Sequence, residues 1–109
     1  MLIFVLTLLS FQAPAPAGKA LFDRRCGGCH ALDRDKEGPR LGGVFGRQAG
    51  TVLSFEYSEA LRKSKIVWNA AMLEKWLSGP AQLVPGVDMD FHLESSEERR
   101  QIIAFLKQK

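Results

Sequence analysis

An all-α fold in a single small domain is what the sequence predicts, and three observations carry that expectation. No alternation of apolar and polar residues runs long enough to build a sheet. Apolar residues recur at helical spacing behind serine and asparagine residues able to cap a helix. The 109 residues, 46% hydrophobic and 9% aromatic, suit one domain with a small core, in which bound apolar bulk would matter. A formal charge of +3, from 15 basic and 12 acidic side chains spread along the chain, argues against a nucleic-acid partner.

The first seventeen residues differ from the rest. Met1 to Phe11 is nearly all apolar, and Ala13-Pro14-Ala15-Pro16-Ala17 precedes Gly18 with no charged side chain up to that point. An apolar run of about ten residues spans roughly half a bilayer core as a helix, so residues 1–17 read as a signal peptide rather than a membrane span. Ala15 and Ala17 form the cleavage site, because a cut after Ala13 or Ala15 would place proline beside the scissile bond. Residues 18–109 are then the mature domain, exported to a bacterial periplasm. A leader retained as an anchor is the alternative, since no positive side chain precedes the apolar run.

Beyond the leader, a first helix is expected from about Lys19 to Cys29, with Leu21 and Phe22 inward and Gly18 and Phe22 as packing contacts. Ser58 caps a short helix through Glu59, Ala60 and Leu61. Asn69 caps another that carries Met72, Leu73, Trp76 and Leu77 and stops at Gly79-Pro80. A capping box, Ser95 to Glu98, opens the final helix, whose apolar face is Ile102, Ile103, Phe105 and Leu106. Between the first and second helices, residues 31–57 hold Gly38, Pro39, Gly42, Gly43, Gly46 and Gly50 and read as loop. The interleaved Leu41, Val44, Phe45, Val52, Leu53 and Phe55 argue against disorder and are expected to line a cofactor.

The chemistry sits in Cys26-Gly27-Gly28-Cys29-His30. Two thiols three residues apart can add to the two vinyl groups of one haem while the adjacent imidazole coordinates iron, the pattern of c-type haem attachment. A structural disulfide would leave His30 unexplained. A thioredoxin-like redox pair calls for a βαβ pattern that the sequence lacks. Zinc needs four ligands, and beyond these three only the distant His92 is available. For the sixth iron position Met72 reads as a core residue on a helix face. Met89, between Asp88 and Asp90 after Pro85-Gly86, has more reason to turn inward, and His92 is the rival.

In this order the motifs identify the chain as resembling the class I cytochromes c, the group of mitochondrial cytochrome c and its short soluble bacterial relatives. The resemblance covers residues 18–109: Gly18 and Phe22 before CGGCH, GPRLGGVFGR at 38–47, FEYSEAL at 55–61, IVW at 66–68, LEKWLSGP at 73–80, VPGVDM at 84–89 and IIAFL at 102–106. It implies N- and C-terminal helices packed across each other, with loops wrapping one covalently attached haem c. It further implies His30 as proximal ligand, held through its other ring nitrogen by the Pro39 carbonyl, and Met89 as distal ligand. Arg47, Tyr57 and Trp68 are expected around the propionates and Phe91 at the exposed haem edge, with Leu41, Trp76 and Leu106 also against the haem. Leu61, Val87 and Trp76 depart from the mitochondrial pattern of polar residues and a tyrosine. Ala81, Gln82 and Asp88 thin its lysine collar.

The activity implied is single-electron transfer rather than enzymatic turnover. Expected partners are a cytochrome bc-type complex as donor and an oxidase, reductase or photosynthetic centre as acceptor, with the chain monomeric and not stably inserted in a membrane. A peroxidase-like or gas-binding haem protein is the competing class. It would need an open sixth position, and His92 and Arg47 are its only candidate distal groups.

Overall fold

Side-chain capping decides where most of the elements begin. In a computed structural model of the chain, which describes residues 2–7 and 15–109, five α-helices follow one another among the described residues. They are α1 (Ala15–Arg25), α2 (Glu59–Lys63), α3 (Ala70–Ser78), α4 (Pro80–Leu83) and α5 (Ser96–Lys107). Ser58 Oγ accepts from the Leu61 amide at 3.2 Å, Asn69 Oδ1 from Met72 at 2.9 Å and Ser95 Oγ from Glu98 at 3.2 Å. Each bond satisfies an amide that has no partner inside its own helix. The Glu98 carboxylate meets Arg25 Nε at 3.1 Å, so the residue expected to complete a capping box also ties α5 to α1. No strand forms among the described residues; an isolated bridge pairs Gln48 with Val67.

Two expected boundaries shift. α1 starts at Ala15 and ends at Arg25, short of Cys29. The amides of Cys26 and Gly27 both reach the Phe22 carbonyl, at 2.8 and 3.0 Å, which widens the last turn, and Gly27-Gly28 offers no side chain to continue it. Gly79-Pro80 does end α3, but Pro80 then occupies the first position of α4, where its fixed φ and missing amide cost nothing. Of the expected leader, residues 1 and 8–14, which include the second half of the apolar run, lie outside the described residues. Residues 2–7 carry no regular secondary structure, and Leu2 to Leu6 are exposed. No helix among the described residues is long and apolar enough to cross a membrane.

The terminal helices meet where side chains are smallest. α1 packs on α5, and α3 packs on α5 and α4. At the α1–α5 contact a Cβ placed on Gly18 would lie 2.9 Å from Phe105 Cβ and 3.0 Å from the Gln101 carbonyl oxygen, so only glycine allows this approach. Beside it the Phe22 and Phe105 rings meet tilted at 43°, with 5.3 Å between centroids, and both side chains are buried. Burying a phenylalanine of this kind stabilises by about 1.5–3 kcal/mol.

Gly18→Ala is expected to lower the stability of the protein by about 1–2 kcal/mol. Overpacking against a Cβ and a backbone oxygen outweighs the helix propensity gained. Denaturant midpoints check this, and a midpoint at or above that of the parent would show that the helices can part without loss.

Candidate functional site

The turn after α1 brings two thiols and an imidazole to one place. The amides of Cys29 and His30 both reach the Cys26 carbonyl, at 3.1 and 2.9 Å, folding the five residues into a single turn. Cys26 is half-buried, Cys29 is exposed, and both thiols are free. Burial, with the neighbouring Cys29, pushes the Cys26 thiol up to about 11. Thioredoxin-like pairs work through a depressed thiol, so the environment here is of the opposite kind. Among the described residues no group of three or more His, Cys, Asp or Glu side chains is arranged to hold a metal ion, which leaves the zinc reading without a ligand set.

His30 is held from its far side. Its Nδ1 lies 2.8 Å from the Pro39 carbonyl oxygen. A carbonyl only accepts, so Nδ1 carries the proton and the neutral ring keeps the Nε2 lone pair. Burial lowers the histidine pKa, the Pro39 bond opposes that shift, and Lys36 adds to it. Backbone bonds fix the loop that supplies the carbonyl: Gly38 N to Cys29 O at 2.8 Å, Leu41 N to Ala31 O at 2.9 Å and Gly42 N to Leu32 O at 2.9 Å. Gly38 lies directly against the imidazole, and a Cβ there would fall on Cε1, Nδ1 and Nε2 of the ring.

Cys26, Cys29 and His30 open onto a cavity of about 410 Å³. The residues that the resemblance implies for the haem site all line it. Pro39, Leu41 and Arg47 come from the first loop, Tyr57 from the approach to α2, and Trp68 from the approach to α3. Trp76 comes from α3, Met89 and Phe91 from the segment before α5, and Leu106 from α5 itself. Gly46 N to Trp68 O at 2.6 Å, Trp68 N to Arg47 O at 2.8 Å and Ala49 N to Ile66 O at 2.7 Å place Trp68, whose ring meets Trp76 edge-on at 5.2 Å.

Two polar groups on the wall are already engaged by the loops. Arg47 donates to the carbonyls of Arg40 at 2.8 Å and Gly42 at 2.7 Å. The Tyr57 hydroxyl accepts from the Val52 amide at 3.2 Å, and burial raises its pKa, so it remains a neutral phenol with its own O–H to donate.

Met89 sits on a segment clamped at its C-terminal end. Leu93 N bonds Leu77 O at 2.8 Å, while Arg99 donates to Leu93 O at 2.6 Å and to Glu74 at 2.7 Å. Met72 and His92 are not on the cavity wall; Met72 packs against the core and His92 is exposed, paired with Glu94 at 2.7 Å.

Of the six apolar loop residues expected to line a cofactor, Leu41, Val44 and Phe55 do, while Phe45, Val52 and Leu53 do not. Leu53 is fully exposed rather than lining the cavity, because the turn at 51–55 points it outward while Val52 takes the buried position. Sequence reasoning did not single out Leu73, Leu77 and Ile102 as part of the wall. Helical periodicity marked them as inward, and the spacing of Ile102 to Leu106 on one face of α5 was the signal that they share a surface. Gly38 stood out only as a loop glycine.

Gly38→Ala is expected to break the His30–Pro39 bond and to destabilise the protein by about 1–3 kcal/mol, since neither a buried ring nor a bonded loop can retreat freely. Nitrogen NMR of the His30 ring checks the bond; an unaltered Nδ1 signal would contradict the contact.

The donor set fits haem attachment: two thiols on one turn, an imidazole with Nε2 free, and an apolar wall that continues to a thioether. A family model described as cytochrome c matches residues 15–109. A cytochrome c of Chlamydomonas reinhardtii is 38% identical over 109 residues, covering 92% of this chain and 97% of its own length. One from Euglena viridis is 41% identical over 96 residues, covering 85% and 94%. Among solved structures, cytochrome cH from Methylobacterium extorquens superposes with a TM-score of 0.82 at 37% identity, covering 89% of this chain and all of that one. The class I fold and this likeness along nearly the whole chain agree: it belongs to the cytochrome c family, electron-transfer proteins that carry covalently bound haem.

Proposed function

We propose that the chain is exported, is cut after Ala17 and works as residues 18–109 in a bacterial periplasm. There it would shuttle single electrons from a cytochrome bc-type complex to an oxidase, reductase or photosynthetic centre. The observation that carries the electron-transfer reading is the meeting of His30 and Met89 on one largely apolar cavity. In this reading Cys26 and Cys29 form the two thioether links, His30 Nε2 is the proximal ligand and the Met89 sulfur is the distal one.

Bound haem supplies the one-electron ferric and ferrous couple. The chain's residues then have three tasks. Pro39 and Gly38 fix the imidazole, so its orientation and basicity do not change between states. Met89 offers a soft donor that favours the electron-rich state, and the wall of Leu41, Trp68, Trp76 and Leu106 disfavours added positive charge. Both effects raise the potential. Arg47 and Tyr57 provide the polar end of the cavity suited to propionates, while Phe91, 37% exposed, marks the edge where a partner approaches.

The charge at that edge differs from a lysine collar. Glu37, Glu56, Asp88 and Asp90 are exposed and line the cavity, which places carboxylates at its mouth. Complementary charge mainly sets encounter rates, so a partner matched to the mitochondrial protein would dock here slowly.

Met89→Ala is expected to abolish the weak near-infrared methionine-to-iron band of the oxidised protein and to let the reduced protein bind carbon monoxide. A parent protein that lacks the band or binds carbon monoxide readily would overturn the carrier reading in favour of a gas-binding or peroxidase-like one. N-terminal sequencing of the exported protein is expected to begin at Gly18; a retained Met1 would defeat the cleavage.

A further inference from the structure

One peptide group in the site is hydrogen-bonded at both poles. The carbonyl of the Pro39–Arg40 peptide faces His30 Nδ1 at 2.8 Å, and its amide, Arg40 N–H, donates to Asp35 Oδ1 at 3.0 Å. The peptide is trans, so its N–H and C=O point in opposite directions and the two bonds run head to tail through one polarisable plane. The other carboxylate oxygen, Asp35 Oδ2, accepts from Ser54 Oγ at 2.5 Å, which ties Asp35 to the far part of the same loop. Asp35 thus stands at the start of a chain of bonds that ends on the imidazole.

An ionised acceptor on a peptide N–H draws electron density toward the carbonyl oxygen at the other end. Bonds in such a chain strengthen one another by about 10–30% each, and charge-assisted ones are about twice as strong as neutral ones. We propose that Asp35 is a positioning residue for the haem ligand: its carboxylate, acting through the Pro39–Arg40 peptide, makes the Pro39 carbonyl a stronger acceptor for His30 Nδ1–H. The imidazole is thereby held in one orientation, and its Nε2 becomes a better donor to iron, which favours the ferric state. This rests on the reading of His30 as the proximal ligand.

The carboxylate is ionised at neutral pH, because the Ser54 and Arg40 bonds hold its pKa below the ordinary value and the Arg40 and Arg47 cations lower it further. Arg47 also donates to the Arg40 carbonyl at 2.8 Å, so the residue after the bridging peptide is fixed as well. Neighbouring carboxylates are placed differently. Asp33 pairs with Arg34 at 3.3 Å in solvent, and Glu37 lies 4.0 Å from Cys29 Sγ.

Asp35→Asn in the haem-loaded protein is the test, because the amide removes the charge, keeps an oxygen for Arg40 N–H and turns its NH2 to donate to Ser54 Oγ. Proton NMR of the ferrous protein is expected to show His30 Nδ1–H moving upfield. The equilibrium against a redox mediator should shift about threefold toward the ferrous form, the scale of one modest hydrogen bond. Both changes should persist at high salt, whereas the direct field of a partly exposed charge fades over a Debye length of about 8 Å at 0.15 M ionic strength. Asp33→Asn should show neither change.

An unmoved Nδ1–H in Asp35→Asn would overturn the proposal, as would a redox shift that Asp33→Asn reproduces or that salt removes. Should the variant fail to accumulate, hydrogen exchange of Arg40 N–H in the unmodified protein decides: strong protection is expected, and exchange at the rate of an open loop amide contradicts the relay. Failure of the ligation reading looks different. His30 ring protons would then lack the large ring-current shifts that a haem ligand experiences.

Discussion

The close approach of α1 to α5 at Gly18 is the contact on which the site depends. It sets the distance between the two ends of the domain, and both ends contribute to the cavity. The Cys26–His30 turn continues directly from α1, while Ile102 and Leu106 of α5 form part of the wall facing it. Glu98 and Arg25 fix the rotation of one helix against the other at 3.1 Å. Widening the crossing by one methyl group would therefore move thiols and imidazole relative to the wall they face. A packing contact made by an absent side chain thus sets the geometry of the cofactor site.

What could be read from the sequence was what acts locally. Ser58, Asn69 and Ser95 announced their helices because a cap works over three residues and needs no tertiary partner. CGGCH announced its chemistry because the spacing itself is the requirement. Residues whose role lies in another part of the chain were harder to see. Leu53 and Val52 look alike in sequence, and only the course of the loop decides that one is buried and the other exposed. Leu73 and Leu77 were plainly inward, but periodicity cannot say whether an inward residue meets another helix or a cofactor wall. Gly38 and Asp35 act through a missing Cβ and a peptide group, and neither leaves a side-chain pattern to recognise.

Three polar groups of the cavity follow one logic. They are tied to backbone before they can meet a ligand: His30 to Pro39, Arg47 to two carbonyls, Tyr57 to the Val52 amide. Groups that are already bonded need little rearrangement when charge appears beside them, and that is what one-electron chemistry asks of its surroundings. The surface is less constrained. Among the carboxylates at the mouth, Glu37 reaches Cys29 Sγ at 4.0 Å, while Glu56, Asp88 and Asp90 are exposed and take no part in the bonds that hold His30, Arg47 and Tyr57.

The two sides of the cavity are not fastened equally. Around His30, the loop is laced by successive backbone bonds from Cys29 through Gly42. The Met89 segment has its backbone bonds at its ends, Val84 to Pro80 and Leu93 to Leu77, with none recorded between them among the described residues. Local opening costs least where cross-links are sparse, so the methionine side is the hinge of the cavity and the histidine side its frame. A wall built this way opens first on the side of Met89, while the loop around His30 keeps its shape.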